Sequence, residues 1–238
     1  MQTIYEPKGK AREYAELALN LYRGCDHGCL YCYAPQILKM DRAEYHNPIE
    51  RRDVLQGIRN VAERFSGKDV FLCFTTDPYQ HFDVEQQITR ETIKILHSAD
   101  ISVRILTKGG RRSERDFDLL GGNDAYGATL TFLNPMVCSL HGWEPNAAFP
   151  QERIDALRKA YNLGIHTWLS LEPVINPSET LEIIRHTHEF VNEYKVGRWN
   201  YDTRANKIDW VKFYRDVTDL LKSTGRKYYI KEDLRKYA

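Results

Sequence analysis

Arg23-Gly24-Cys25-Asp26-His27-Gly28-Cys29-Leu30-Tyr31-Cys32-Tyr33 places three of the five cysteines within eight residues, spaced Cys-x3-Cys-x2-Cys. It follows Leu17 to Tyr22, a short apolar run that reads as a first strand delivering Cys25 to its carboxyl end. A disulfide framework does not fit: the cysteine count is odd, the chain has 238 residues, and its amino terminus shows no secretory apolar segment. Three thiolates on one short loop suit an iron–sulfur cluster or zinc. Structural zinc takes four ligands, and His27, inside the first spacing, gives a cramped bite as the fourth. Cys73 and Cys138 stand alone, so no second cysteine pair closes a zinc ribbon. Three thiolates on a 4Fe–4S cluster leave one iron open, as a catalytic metal site does; that favours the cluster, with zinc the alternative.

Working outward, strand-like and helix-like segments alternate. Strands are predicted at Val70 to Phe74, Ser102 to Thr107, Tyr126 to Phe132, His166 to Leu171, Phe190 to Val196 and Lys227 to Ile230. Helices are predicted at Asp53 to Phe65, Glu85 to Ser98, Arg115 to Leu120, Pro150 to Leu163, Ser178 to Glu189 and Trp210 to Ser223, with Gly164 and Gly225 as left-handed caps. This order implies a parallel sheet with helical crossovers. The fold class is α/β: a partial barrel of six strands with a C-terminal extension carrying a seventh element. Residues 1–16 read as an amino-terminal arm and 17–238 as a single domain of ordinary size. Sites in such sheets lie at the carboxyl ends of the strands.

The cysteine spacing, with an aromatic before the third cysteine, resembles the signature of the radical S-adenosylmethionine (radical SAM) superfamily. Asn20-Leu21-Tyr22-Arg23-Gly24-Cys25, Tyr31-Cys32-Tyr33-Ala34 and Thr75-Thr76-Asp77-Pro78-Tyr79-Gln80 are similar to the group that includes spore photoproduct lyase. Ile105-Leu106-Thr107-Lys108-Gly109-Gly110, Ser170-Leu171-Glu172-Pro173 and Tyr228-Tyr229-Ile230-Lys231 resemble uncharacterised single-domain members of that group. The resemblance implies a radical SAM barrel in which Cys25, Cys29 and Cys32 hold a 4Fe–4S cluster. S-adenosylmethionine then chelates the fourth iron, and one-electron reduction cleaves it to a 5′-deoxyadenosyl radical that abstracts hydrogen from a substrate. A reductant of flavodoxin or ferredoxin type is the implied partner.

By the same resemblance, Tyr31 packs near the adenine, Thr75, Thr76 and Asp77 receive the cofactor's amino group, and Lys108 pairs with its carboxylate. A turn at Asp77-Pro78 and a solvated lysine are the plainer readings. Thr129 and Thr131, at the end of a strand, are placed to reach ribose, against ordinary β propensity. Ser170 and Glu172 are pocket candidates, because a glutamate at a strand end is costly to bury without a partner. Tyr33, Tyr79, Lys195, Arg198, Asn200 and Lys231 are assigned to catalysis or substrate. In spore photoproduct lyase the hydrogen-donor cysteine directly precedes the strand-two motif. Phe74 occupies that place here, and Cys73, one residue earlier, is expected on the opposite face as a buried apolar residue. Cys138, after the fourth strand, is a weaker donor candidate, with a buried inert thiol its plainer reading.

A net charge of +1 gives no strongly basic nucleic-acid footprint. From Lys195 onward, however, basic residues interleave with Trp199, Tyr201 and Tyr214, a mixture suited to holding phosphates and bases as well as to a solvated helical face. Nucleic acid or nucleotide is therefore the expected substrate. The alternatives are a peptide or small metabolite under the same chemistry, or a non-catalytic zinc- or cluster-binding module. No apolar run reaches membrane-span length, and the cysteine usage predicts a reducing cytoplasm without membrane attachment.

Overall fold

The structure, a computed structural model, describes residues 3–139 and 142–238; Met1 and Gln2 of the expected arm lie outside them. The strands in chain order are β1 Leu17–Leu19, β2 Tyr22–Arg23, β3 Ile49–Glu50, β4 Asp69–Leu72 and β5 Ser102–Thr107, then β6 Ala125–Thr129, β7 His166–Val174, β8 Glu193–Arg198 and β9 Lys227–Ile230. Seven of them form one sheet in the order β1-β4-β5-β6-β7-β8-β9, every neighbouring pair parallel. This is the expected six-strand α/β order with a seventh strand from the C-terminal extension. All seven carboxyl ends therefore face the same way.

Alternation along the strands divides the sheet's two faces. Val103, Ile105, Tyr126, Ala128, Leu169, Tyr194 and Val196 pack into the main core with apolar residues of the helices Ile88–Ser98, Pro150–Asn162, Pro177–Thr187 and Trp210–Thr224. The other face carries a small separate core of Ala18, Phe71, Ala125 and Trp168, with Tyr14, Phe74 and Leu106 against it. Gly127 makes that inner core fit: a Cβ there would stand 2.4 Å from the Trp168 indole. Deeper on the same face, Glu193 faces Arg104, His166 and Lys227 at 3.4–3.8 Å.

Several expected boundaries moved. The first strand is split, with Tyr22 and Arg23 pairing instead with Ile49 and Glu50 in a small antiparallel ribbon. The helix expected from Glu85 is two helices, His81–Gln86 and Ile88–Ser98, broken by Gln87 at φ 52°. The helix expected at Arg115 to Leu120 is instead a 3₁₀ segment at Gly110–Asp116, started by Gly110 at φ 54°. β4 ends at Leu72 because Cys73 takes the left-handed φ of 74°. Strand alternation therefore does not decide where Cys73 points. The thiol is buried as expected, but it packs in the main core and also touches the cavity described below.

The arm does not simply run extended. Tyr5 bridges Ala18 antiparallel, Gly9–Glu13 form a 3₁₀ turn, and the arm then crosses the carboxyl ends of the sheet. Lys10 Nζ reaches Asn200 Oδ1 (2.7 Å) and Asp233 Oδ2 (2.8 Å), and Glu13 Oε2 accepts from Tyr229 OH and Glu232 N.

Candidate active site

A cavity of 660 Å³ opens at the carboxyl ends of the strands. Cys25, Cys29 and Cys32 all line it, on the loop between β2 and the short helix Ala34–Leu38. Burial pushes the Cys25 thiol well above its ordinary pKa and Cys29 to about 12, with the Lys108 ammonium pulling Cys29 back down. Such thiols ionise here against a cation, which is what metal coordination supplies. Among the described residues, no three histidine, cysteine, aspartate or glutamate side chains close on a single ion position. All three cysteines nonetheless line the one cavity. His27 is not available as a ligand. Its Nε2 accepts from Arg112 Nη2 at 3.1 Å, its Nδ1 lies 3.5 Å from Asp77 Oδ2, and burial lowers its pKa so that the ring is neutral.

The segment after β4 meets the cysteine loop. Asn20 Oδ1 accepts from Thr75 N (2.9 Å), Thr76 Oγ1 donates to Gly24 O (2.5 Å), and Gln80 Oε1 accepts from Asp26 N (2.9 Å). Thr75, Thr76 and Asp77 all line the cavity, but their polar atoms are committed differently. Asp77 accepts from Thr107 Oγ1 (2.5 Å), Lys108 N (2.8 Å) and Tyr79 N (2.8 Å), so its carboxylate ties the β4 loop to the end of β5. Burial works to raise its pKa, but the adjacent His27 and these donors together hold it below the ordinary carboxylate range. The Thr75 hydroxyl has no partner among the described residues. The Lys108 ammonium also lacks a carboxylate there, lying 5.5 Å over the Tyr31 ring.

Thr129, Ser170, Glu172, Arg198, Asn200 and Lys231 complete the wall, with Tyr31 and Tyr33. Glu172 Oε2 accepts from both Tyr14 OH (2.7 Å) and Lys231 Nζ (2.8 Å). At the mouth, Tyr33 donates to Phe74 O (3.1 Å), and its ring lies 6.3 Å from that of Tyr201 at 27°. Three expected residues do not line the cavity. β6 ends at Thr129, so Thr131 falls in the following loop and donates to Tyr31 OH at 3.4 Å. Tyr79 is buried with its ring against Arg115. β8 runs on to Arg198, which leaves Lys195 one layer below the mouth, donating to Glu13 O (3.0 Å) and Tyr14 O (3.2 Å). Cys138 is also outside, buried and 3.7 Å from Glu144 Oε2.

Local sequence patterns did not point to three elements of this site, and gave a fourth, Tyr201, only as part of the aromatic and basic mixture after Lys195. Tyr14 enters it from the arm, and Tyr201 is presented on a left-handed backbone, φ 63°. Glu144 and Arg153 form a buried pair (2.6 Å), Glu144 also accepting from the Tyr31 hydroxyl. The remaining element is the turn Arg42 to His46, behind the cysteine loop. All four depend on contacts between residues distant in sequence.

A family model, the radical SAM superfamily, matches residues 19–191, from β1 past the cysteine loop to the residues before β8. The chain belongs to the radical SAM superfamily. Two uncharacterised relatives are similar to it. MJ0683 of Methanocaldococcus jannaschii is 29% identical over 184 residues, covering 76% of this chain and 69% of that one. ORF301 of Acidianus two-tailed virus is 25% identical over 206 residues, covering 79% and 66%. Among solved structures, spore photoproduct lyase complexed with a dinucleoside spore photoproduct superposes with a TM-score of 0.70 at 13% identity, covering 95% of this chain and 80% of that one. Streptococcus suis SuiB bound to S-adenosylmethionine gives 0.63 at 13%, covering 90% and 49%. At such identities the structures share the fold. As a radical SAM enzyme, the protein belongs to a superfamily that uses a 4Fe–4S cluster and S-adenosylmethionine and draws on a one-electron reductant. No helix among the described residues is long and apolar enough to cross a membrane.

Proposed function

We propose that this radical SAM enzyme carries its 4Fe–4S cluster on Cys25, Cys29 and Cys32 and abstracts hydrogen from a nucleic acid or nucleotide. The observation that carries the reading is that three thiols, an unpaired lysine and an unpaired threonine hydroxyl line one cavity at the carboxyl ends of a parallel sheet. When bound, the cluster and S-adenosylmethionine supply a 5′-deoxyadenosyl radical on one-electron reduction by a flavodoxin- or ferredoxin-type donor. The chain's own residues hold and orient. Lys108 offers its ammonium to the cofactor carboxylate, and the Thr75 hydroxyl accepts from the amino group. Thr129 and Ser170 present hydroxyls to ribose, and Asp77 fixes the loop that carries Thr75.

For the substrate, the basic C-terminal run carries less than its composition suggests. Arg204 pairs with Asp202, Lys212 with Asp216, Lys227 with Glu193 and Lys231 with Glu172. Support for a nucleotide comes instead from the cavity mouth, where the exposed rings of Tyr33 and Tyr201 stand together and Lys8 lines the same cavity, while Lys10 over the Tyr201 ring is already paired with Asp233. Planar exposed rings beside ammonium groups suit a base next to its phosphate. The dinucleoside photoproduct bound by spore photoproduct lyase is a substrate of that class.

Anaerobic reconstitution with iron and sulfide, then dithionite and S-adenosylmethionine, tests the chemistry. The expected product is 5′-deoxyadenosine, and Cys25→Ala, Cys29→Ala or Cys32→Ala abolishes the cluster's absorbance. A protein that folds on zinc alone and forms no 5′-deoxyadenosine overturns the reading. For the substrate, a single-stranded oligonucleotide should bind more tightly than an abasic strand of equal charge, and added salt should weaken both. Equal affinity for the two strands, or preference for a peptide, rules out base recognition.

A further inference from the structure

One short turn, outside every motif that resembles the superfamily, grips all three cysteines. Asp41 starts the helix Arg42–Tyr45 by accepting from Ala43 N (2.7 Å) and Glu44 N (3.3 Å). From this turn Arg42 donates through Nη1 to Cys29 O at 3.1 Å and through Nη2 to Cys32 O at 3.2 Å. Cys25 N donates to Tyr45 O at 2.8 Å, and His46 Nδ1 lies 3.1 Å from Cys25 O. The Tyr45 hydroxyl donates to Thr75 O (3.1 Å) and lies 3.9 Å from Cys32 Sγ. A planar guanidinium fork across two carbonyls three residues apart fixes their relative placement, because both bonds close in only one orientation. Arg42 faces solvent and makes no ion pair among the described residues, so its charge is not neutralised by a neighbouring carboxylate.

We propose that Arg42 is a positioning residue for the cluster: it locks the Cys29–Cys32 loop, and its charge favours the reduced cluster. The inference rests on the reading that Cys25, Cys29 and Cys32 are the ligands. Adding an electron makes the cluster more negative, and a fixed positive charge on the ligand loop stabilises that form more than the oxidised one. The fork and the charge are separable by substitution. Arg42→Gln removes the charge and keeps a single donor. Arg42→Lys keeps the charge but loses the planar fork.

A redox titration of the anaerobic, cluster-loaded protein without S-adenosylmethionine, followed by absorbance and electron paramagnetic resonance, separates the two effects. At a fixed poise, the reduced-to-oxidised ratio in Arg42→Gln should fall about tenfold, a shift of about 59 mV to more negative potential. Arg42→Lys should titrate close to wild type, yet both variants should lose cluster to a chelator several-fold faster. A purely structural role leaves the potential unmoved, so an Arg42→Gln protein that titrates with wild type overturns the proposal. Equal chelator resistance in all three proteins overturns the locking half. A wild-type protein that takes up no cluster, or a Cys29→Ala protein that keeps one, overturns the cysteine assignment itself, a result distinct from the failure of Arg42 alone.

Discussion

The hydroxyl of Tyr14 donates to Glu172 Oε2 at 2.7 Å, joining the amino-terminal arm to the end of β7 across 158 positions of sequence. The same hydroxyl lies 3.0 Å from Ser170 Oγ, and the ring sits edge-on to Phe71 and Phe74. The ammoniums of Lys195 and Lys231 lie 5.0 and 4.6 Å from the ring centre. The arm thus supplies a side chain to the inner core and a wall to the cavity. Tyr14→Phe keeps the ring and removes a hydrogen bond to a carboxylate. It should cost about 1.5–3 kcal/mol in denaturant unfolding, and limited proteolysis should cut the arm sooner. Unchanged stability and an equally protected arm would show that the ring alone does the anchoring.

The buried pair of Glu144 and Arg153 makes a sharper prediction. Burial works to raise the Glu144 pKa, but Arg153 and the Tyr31 hydroxyl hold the carboxylate ionised below its ordinary range. Arg153 also donates to Ala148 O (2.8 Å) and Thr129 O (3.0 Å), so the pair ties together Tyr31, the end of β6 and the helix Pro150–Asn162. Arg153→Met strands a buried carboxylate and should cost about 3–5 kcal/mol. Adding Glu144→Gln should recover part of that loss, because a neutral amide is far cheaper to leave unpaired. A double mutant no more stable than Arg153→Met would mean that packing, not charge, sets the cost.

Stability should fall in acid through Glu193. His166, 3.8 Å from its carboxylate, with Lys227, Lys195 and Arg104 nearby, outweighs burial and lowers its pKa from 4.5 to about 2. A carboxylate whose folded pKa is depressed contributes stability above its unfolded value and loses it as pH falls through the folded one. Between pH 4.5 and 2 the wild type should therefore lose stability more steeply than Glu193→Gln, while the variant should be the less stable at pH 7. Parallel unfolding curves for the two proteins over that window would remove Glu193 from the acid limb.

What was legible in the sequence follows from the range of each interaction. Ser102–Thr107 and Lys227–Ile230 match their strands end to end, since alternation and β-branched or aromatic content are local signals. Gly164 and Gly225 take positive φ where a cap was expected, because glycine marks that conformation in the sequence. Gln87 and Cys73 adopt the same region without such a residue type, so the helix break and the end of β4 were hidden. Most of the cavity lining was readable because every strand delivers its last residues to the same end. Arg42, Tyr14 and the Glu144–Arg153 pair were not, since each is defined by a partner far away in sequence or by backbone atoms that no residue type reveals.

Gly197 tests how tightly the cavity floor is built. A Cβ at this position would stand 2.7 Å from Glu172 Cδ and 2.9 Å from both Glu172 Oε1 and Lys231 Cδ. The bare backbone of β8 is thus what lets Glu172 and Lys231 meet at 2.8 Å beneath Tyr14. Gly197→Ala must push one of the pair aside, and overpacking of this kind costs about 1–3 kcal/mol. Because Glu172 also anchors Tyr14, the same substitution should loosen the arm in the proteolysis assay. Glu172→Asp shortens the side chain the new methyl group meets, so the double mutant should lose clearly less than the sum of the two single changes. Strict additivity in denaturant unfolding would show that the methyl group is accommodated elsewhere and that the Glu172–Lys231 contact does not depend on Gly197.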